Sequence, residues 1–430
     1  MKRFNLLILF LHTFISAQTT LSLKEAVRLA LESNYQIRIA QIDQRIAEIN
    51  NRWSNAGAYP ELNISANPNV VSNSIDQRFV NGTEINRKNA ISRNINANIQ
   101  LNYNILNGFN VFTTKEKLET LQQLSEAQLE LIILDTYKRC AETYYRIQNL
   151  TNNLFNLEAQ RKVAIEREQL EEKKFQLGKT GKTSYLQATL DRQDIDILIS
   201  KQTNAIQESK DELHHFLHIS ASDKVFLSDS LNAGILIQKN PQTKNSLPKK
   251  ILNLQSKIKN LEYDEIKRQR LPNLNLFADY RYNRSNNQAG FNLFSQAYGP
   301  ATGLQIMVPL YDGGRATRQL NTNKLEAEKI QVESEDYDRE LNYQLTLQDN
   351  RFKHYSNIYS QELQKIPSAE ENLQILYKKS ELGETNSLEF SQALFRIVEI
   401  NAAKNDALYN VILSKINENY LNGNVSVIEN

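Results

Sequence analysis

A duplication constrains the fold of this chain more than any other feature of its sequence. The segment KKFQLGKTGKTSYLQA at 173–188 returns as KKSELGETNSLEFSQA at 378–393, with seven of sixteen positions identical at an offset of 205. The same offset carries Asn107 and Gly108 onto Asp312 and Gly313. Further upstream Tyr59, Pro60, Leu62 and Asn63 answer Leu271, Pro272, Leu274 and Asn275, now at an offset of 212. The seven-residue slip falls between two strand-like segments of each half, where a loop absorbs it at little entropic cost. Three motifs in one order and nearly one register define two structural repeats, residues 18–218 and 249–421. A connecting segment at 219–248 joins them, and a tail follows at 422–430.

Each repeat reads as a helix, a hairpin, a long helix, a tight turn and a returning helix. The hairpins fall at about 61–105 and 273–311. From Asn94 to Ile105, Ile95, Ala97, Ile99, Leu101, Tyr103 and Ile105 alternate with Asn94, Asn96, Asn98, Gln100, Asn102 and Asn104. A period of two predicts a strand with one apolar and one polar face. Leu62, Ile64 and Ala66 follow the same rule, as do Leu274, Leu276, Ala278, Tyr280 and Tyr282, and Leu304, Ile306, Val308 and Leu310. Strands near ten residues long with neutral polar inner faces fit an outer-membrane barrel. Four strands cannot close one, since the smallest such barrels use about eight. Three chains would supply twelve, so edge closure predicts a homotrimer.

The long helices are set by what the chain omits. No Pro or Gly interrupts Asn110 to Leu177, and apolar residues recur at steps of three and four. Such a stretch (110–177) makes a helix of about 100 Å. The second copy runs from about 315 to 382 and contains Pro367, expected to remove a ladder hydrogen bond and to kink or loosen the helix. Gly178 and Gly383 end these helices, and the returning helices predict antiparallel coiled-coil pairs with the glycines at their tips. With 13 Gly and 8 Pro in 430 residues, long helices outrank compact α/β domains. The expected class is mainly α with membrane β.

At the N-terminus, Met1, Lys2 and Arg3 precede an apolar run from Phe4 to Ile15, closed by Ser16 and Ala17. That is a signal-peptide layout with cleavage after Ala17, and the run is too short to span a bilayer. Nothing later supplies a transmembrane helix, but an exported chain can still enter a membrane as a β-barrel. The single cysteine, Cys140, excludes an intrachain disulfide. A net charge of +2 with no basic stripe does not indicate a nucleic-acid partner.

Over essentially its whole mature length the chain resembles the TolC-like outer-membrane efflux proteins. LSLKEAVRLAL at 21–31, with Asn34, resembles that family's first-helix signature. VPLYDGGR at 308–315 is similar to its strand-to-helix motif, carried here by Pro309, Asp312, Gly313, Gly314 and Arg315. The two glycine-centred tips match its periplasmic turns, at which the tunnel closes. The resemblance implies a homotrimer with a twelve-stranded β-barrel in outer-membrane lipid and a helical tunnel through the periplasm. It implies work with a periplasmic adaptor (membrane fusion) protein and an inner-membrane transporter, in tripartite efflux or type I secretion. Neither catalysis nor a cofactor is implied. Adaptor docking is expected at Gly178, Thr180, Ser184, Gly383 and Thr385, and the pore constriction at Glu389, Gln392, Lys179 and Lys182.

The sequence departs from the pattern in two places. The first junction reads Leu106, Asn107, Gly108, Phe109 and lacks the second glycine and the arginine. Six residues after the tip glycine stand Ser184 in the first repeat and Glu389 in the second, so an acidic ring is reduced. Three Glu389 carboxylates about 9 Å apart would repel by roughly 0.5 kcal/mol per pair in a water-like dielectric. Lys179 and Lys182 are the expected counter-charges.

Other chemistry has weaker support in the residues. His214, His215 and His218 lie at helical spacing and could hold zinc or copper, but no acidic or cysteine ligand accompanies them. A polar helix end is the expectation. GKTGKT at 178–183 resembles a phosphate loop, yet Gln176 stands where that loop needs glycine. Asp191, Asp194 and Asp196 read as a solvated face. A periplasmic coiled-coil scaffold without a channel explains the helices equally well and the four amphipathic strands poorly. The cargo is left open.

Overall fold

The computed structural model describes residues 20–218, 226–227, 246–382, 384 and 386–424. Gly383 and Thr385, the expected leader at 1–17, and most of the connecting segment and tail lie outside the described residues. In chain order the elements are β1 Thr20–Leu21, α1 Leu23–Ser33, α2 Tyr35–Asn50, β2 Glu61–Arg78, β3 Glu84–Asn107, α3 Asn110–Gln176 and α4 Lys182–Leu217. There follow β4 Phe226–Leu227, α5 Leu247–Arg268, β5 Asn273–Asn287, β6 Phe294–Met307, α6 Arg315–Leu382 and α7 Ser387–Leu421. They form two compact units, one of Ala40–Gln128 with Pro248–Asp336, the other of Met1–Ile39, Leu129–Leu247 and Tyr337–Asn430.

The first unit holds one antiparallel sheet in the order β2-β3-β5-β6. Its strands run 18, 24, 15 and 14 residues, longer than the apolar alternation alone predicts. Polar residues continue the pairing toward the turns, past a register shift between Asn73 and Ile75. Register sorts the side chains into two faces, because directly opposed residues share a face. One face carries the rows Leu62–Leu101–Ala278–Thr302, Ile64–Ile99–Tyr280–Pro300 and Ala66–Ala97–Tyr282–Tyr298. The other carries Asn63–Gln100–Asp279–Ala301, Ser65–Asn98–Arg281–Gly299 and Asn67–Asn96–Asn283–Ala297.

Leu62, Ile64, Ile99, Tyr280, Tyr298, Leu304 and Ile306 are all exposed. From Ile95 to Ile105 the apolar set extends about 34 Å along the strand, or about 24 Å at a 45° tilt, close to the apolar band of an outer-membrane barrel. The polar face bonds to itself: Ser65 donates to Asn98, Ser285 to Asn94 at 2.7 Å, and Arg281 to buried Asp279 at 2.6 Å. Phe277, the apolar exception there, is accommodated by Gly303, where an added Cβ would lie 2.7 Å from the ring.

In the same unit, α5 is bonded on both sides. Lys257 meets Glu116 of α3 at 2.9 Å, Thr114 donates to Glu265 at 2.6 Å, and Lys259 meets Glu326 of α6 at 3.0 Å. Just after α2, Asn51 accepts from Lys115 and donates to Gln122 of α3, both at 2.7 Å.

The second unit is helical apart from the short parallel pair β1 and β4. Its α1 is capped by Ser22, whose hydroxyl accepts from the Glu25 amide at 3.2 Å, and it buries Leu23, Ala26 and Ala30 at helical spacing. These pack in a core with Cys140, Ala141, Tyr144, Leu213, Leu217, Leu408 and Ile412. Tyr144 donates its hydroxyl to the Leu21 carbonyl at 2.9 Å, which ties β1 to α3. Burial pushes the Cys140 thiol up to about 12. α6 continues through Pro367.

The two faces of β3 generate a paired test. Ile99→Arg places a charge on the apolar face near the band centre and should cost about 2–4 kcal/mol, whereas Asn98→Arg on the polar face should be tolerated. The measurement is the abundance of folded protein in outer membranes, and equal loss from both substitutions contradicts the assignment of faces.

Candidate functional site

The tips are built by helix-capping chemistry. At the end of α3 the Lys179 amide donates to the Lys174 carbonyl at 2.8 Å and the Gly178 amide to Phe175 at 3.0 Å. This Schellman pair requires a left-handed residue, and Gly178 takes φ +68°. Phe175 and Tyr185 stack 6.2 Å apart across the turn. In the second repeat Glu384 donates to Lys379 at 3.0 Å, the same bond moved by 205 residues. Asn386 then caps α7, its side chain accepting from the Leu388 amide at 2.9 Å.

Gly178, Lys179, Lys182, Glu389 and Gln392 are exposed, and Thr180 and Ser184 are half-buried. Among the described residues no ion pair joins Glu389 to Lys179 or Lys182. Gly383 and Thr385 lie outside the described residues.

Behind the tips lies a buried polar lock absent from the expected site. Arg167 of α3 and Asp191 of α4, with side chains 2% and 3% exposed, pair at 2.5 Å. The guanidinium also donates to the Ser391 hydroxyl at 3.2 Å, the Ser387 carbonyl at 2.9 Å and the Ser387 hydroxyl at 2.6 Å, all on α7. Ser391 donates to Asp191, and Gln187 donates to the second Asp191 oxygen at 2.8 Å. The Phe390 ring lies 4.4 Å from the Arg167 guanidinium carbon. Burial lowers the Arg167 pKa, and the Asp191 charge opposes that shift. One turn nearer the tip, Lys174 pairs with Glu171 at 3.1 Å and donates to the Ser380 carbonyl, while Ser380 donates to Glu171 at 3.0 Å. An apolar cluster of Ala164, Ile195, Leu373, Phe390, Ala393, Leu394 and Ile397 adjoins it. The lock ties the first-repeat hairpin to the second.

Asp191 therefore corrects the reading of a solvated acidic face. Asp194 is exposed and Asp196 half-buried in pairs with Arg161 and Arg192, but Asp191 faces inward. A signal was present: Ala188, Asp191 and Ile195 form one buried stripe on α4, and Ala164, Arg167, Glu171 and Lys174 form another on α3.

At the strand-to-helix junction, Asp312 caps α6, its carboxylate accepting from the Gly314 amide at 2.9 Å and the Ala316 amide at 2.7 Å. The Ala316 bond holds its pKa below the usual carboxylate value. Gly313 and Gly314 take φ +67° and +75°, Pro309 precedes them, and Arg315 opens the helix. In the first repeat Phe109 adopts φ +63° where its mate is Gly314. The missing glycine changes the residue and leaves the turn intact, with Arg268 donating to the Phe109 carbonyl at 2.9 Å.

Of the histidines, His214 is buried, the rings of His215 and His218 lie 6.2 Å apart, and His218 packs edge-on against Tyr35. The polar helix end is thus partly an interior position. No group of three or more His, Cys, Asp or Glu among the described residues is gathered as metal ligands.

The described residues thus hold a four-stranded sheet with a bare apolar face in one unit and, in the other, two pairs of very long helices that reverse at tight turns. Residues 26–217 match the family described as outer membrane efflux protein. No curated protein matches the sequence. The fold resembles the Campylobacter jejuni CmeC outer membrane channel, with 16% identity and a TM-score of 0.76 over 93% of this chain and 85% of that one. It also resembles the outer membrane protein VceC from Vibrio cholerae, with 15% identity, a TM-score of 0.75, and 94% and 96% covered. CusC gives 15% identity and a TM-score of 0.74 over 94% and 92%. Residues 26–217 thus carry that family's sequence pattern, and the fold over nearly the whole length is that of these channels.

The lock makes a direct prediction. Arg167→Met leaves Asp191 buried and unpaired and should destabilise the helical unit by about 3–5 kcal/mol, while Arg167→Met with Asp191→Leu should recover much of that loss. Thermal unfolding followed by circular dichroism checks it; a double variant that melts below the single one sinks the idea.

Proposed function

We propose that the chain is one of three copies that form a continuous export duct through the outer membrane and into the periplasm. The supporting observation is the sheet in the order β2-β3-β5-β6, with an exposed apolar face and, among the described residues, no strand beyond β2 or β6. A membrane has no water to satisfy the edge amides and carbonyls, so such a sheet must close. Three copies give twelve strands, with the Asn- and Ser-rich faces turned to the lumen. Helices of 67 and 68 residues, each about 100 Å by their rise, would continue the duct. Residues 1–17 are read as the export leader, and 18–218 and 249–421 as the repeats.

The tips are the proposed gate and docking end. Gly178, Thr180, Ser184, Gly383 and Thr385 would meet a periplasmic adaptor, which couples the duct to an inner-membrane transporter of tripartite efflux or type I secretion. Around the threefold axis Glu389 would face its copies, with Gln392 about one turn further on. Among the described residues no ion pair engages Glu389, Lys179 or Lys182, and in the proposed assembly they would pair across copies. The role is that of a channel, with the chemistry of energy coupling left to the transporter.

Two measurements test this reading. In planar bilayers Glu389→Gln should lower cation preference and raise the resting open fraction; unchanged current and selectivity would remove Glu389 from the gate. Gly178→Val forces a branched residue into φ +68° and should abolish export while the protein remains in the membrane. Full export at normal abundance would remove that tip from the mechanism.

A further inference from the structure

Five arginines stand in the strands of the sheet, and three of them have an acceptor inside the chain. Arg281 on the polar face pairs with Asp279 at 2.6 Å, Arg78 pairs with Glu84, and Arg87 donates to the Gln288 carbonyl at 2.9 Å. The other two, Arg93 of β3 and Arg284 of β5, are exposed. Among the described residues neither guanidinium has an ion pair or a hydrogen bond.

Register puts both on the apolar face. Beyond the row Ala66–Ala97–Tyr282–Tyr298 come Pro68–Ile95–Arg284–Gln296 and then Val70–Arg93–Asn286–Phe294. The helices join the strands at the opposite end, so these rows lie toward the turns that link β2 to β3 and β5 to β6. Arg93 and Arg284 stand on adjacent strands one row apart, as diagonal neighbours whose long side chains meet. The rows of this face from Leu62 to Ser72 hold no carboxylate that could neutralise them. Both belong to the two inner strands, so closure through the edges β2 and β6 leaves them uncovered.

Strand geometry sets their depth. Arg93 is six residues beyond Ile99 at the band centre, about 20 Å along the strand and about 14 Å along the membrane normal at a 45° tilt. The half-height of such a band is about 12 Å, so Arg93 stands just past its rim. Arg284 lies one row inside, from which a long side chain reaches outward. Its guanidinium carbon is 5.7 Å from the centre of the Phe294 ring, one row further out, so the side chain is turned toward headgroup depth. Tyr282 and Tyr298 supply the aromatic row expected at the rim.

We infer that Arg93 and Arg284 clamp the phosphate of a phosphorylated lipid in the outer leaflet, whose acyl chains lie against Ile95, Tyr282 and Ile99. The inference rests on the membrane reading above and adds a ligand to it. Each guanidinium presents paired N–H donors that fit two phosphate oxygens at once. Two like charges held close together repel, and an anion between them turns that repulsion into attraction. The apolar rows alone would accept any acyl chain; the cationic pair selects the anionic headgroup.

The test uses the full-length assembly, extracted from outer membranes in a non-ionic detergent, stripped of lipid and titrated with diphosphorylated lipid A under native mass spectrometry. The expected result is saturable binding of one lipid per chain. Arg93→Gln or Arg284→Gln alone should weaken it about fivefold, and the double variant about twenty-five-fold. Lipid A stripped of its phosphates should bind the native protein and the double variant alike, and weakly. Equal affinity of the native protein and the variants for the phosphorylated lipid, at an unchanged dissociation temperature of the assembly, overturns the clamp and leaves the membrane reading standing. Equal binding of the two lipids does the same. Displacement of the lipid by inorganic phosphate at equal concentration marks a site for the free ion and overturns the lipid assignment. If the double variant does not assemble, the single variants carry the comparison. A native chain absent from the outer-membrane fraction overturns both readings.

Discussion

Backbone hydrogen bonds at the edges of the sheet are the constraint on which the rest of this protein depends. A water-soluble sheet can leave its edge amides and carbonyls to solvent. A sheet whose one face is a band of Leu, Ile, Ala and Tyr about 25 Å tall has no water beside its edges once that face meets lipid. Each unpaired group then costs several kcal/mol, and β2 and β6 present a full row of them. Four strands are too few to curl onto themselves, and the proposed assembly meets this constraint by sharing closure among copies.

The duplication repeats the same elements. Each repeat delivers a hairpin and a long helix with the same spacing. The apolar seam of Ile258 and Leu261 on α5 is covered, while its mate on α2, Ile46 and Ile49, is bare. Polar bonds set the alignment: Glu265, Lys257 and Lys259 place α5 between α3 and α6. Apolar side chains at steps of four and three supply the burial.

The helical tips follow a different economy. A Schellman turn at Gly178 costs little and reverses the chain sharply. Apolar packing joins the two hairpins through Ala164, Ile195, Leu373, Phe390 and Leu394, but non-directional contacts alone do not fix their register. Arg167 solves this with a desolvated guanidinium whose donors reach Asp191 on one hairpin and Ser387 and Ser391 on the other. A buried pair of this kind adds little net stability over an apolar substitute, but an alternative alignment leaves a charge stranded, so the lock fixes register.

Much of this was legible in the residues themselves. Alternation of period two located the hairpins and their faces, the absence of Pro and Gly set the first long helix, and glycine marked the turn at Gly178, because these are local properties of the backbone. Strand length was underestimated, since the Asn- and Arg-rich ends of β2 and β3 pair through backbone groups that do not depend on side-chain polarity. The pattern at Asp191, Asp194 and Asp196 was misread for a related reason. Three carboxylates in one run look alike in sequence, and only the angular position of Asp191, in line with Ala188 and Ile195, turns it inward. Its partner Arg167 is nearby in the chain, but Ser391 is 200 residues away. Phe109 likewise gave no sign that it would accept a left-handed turn. By itself the sequence determined most of the secondary structure and the two-faced strands, set by short-range sterics and hydrophobic period. Only the tertiary structure decided which charges are buried together and which seams are left bare, because burial depends on neighbours that distant parts of the chain supply.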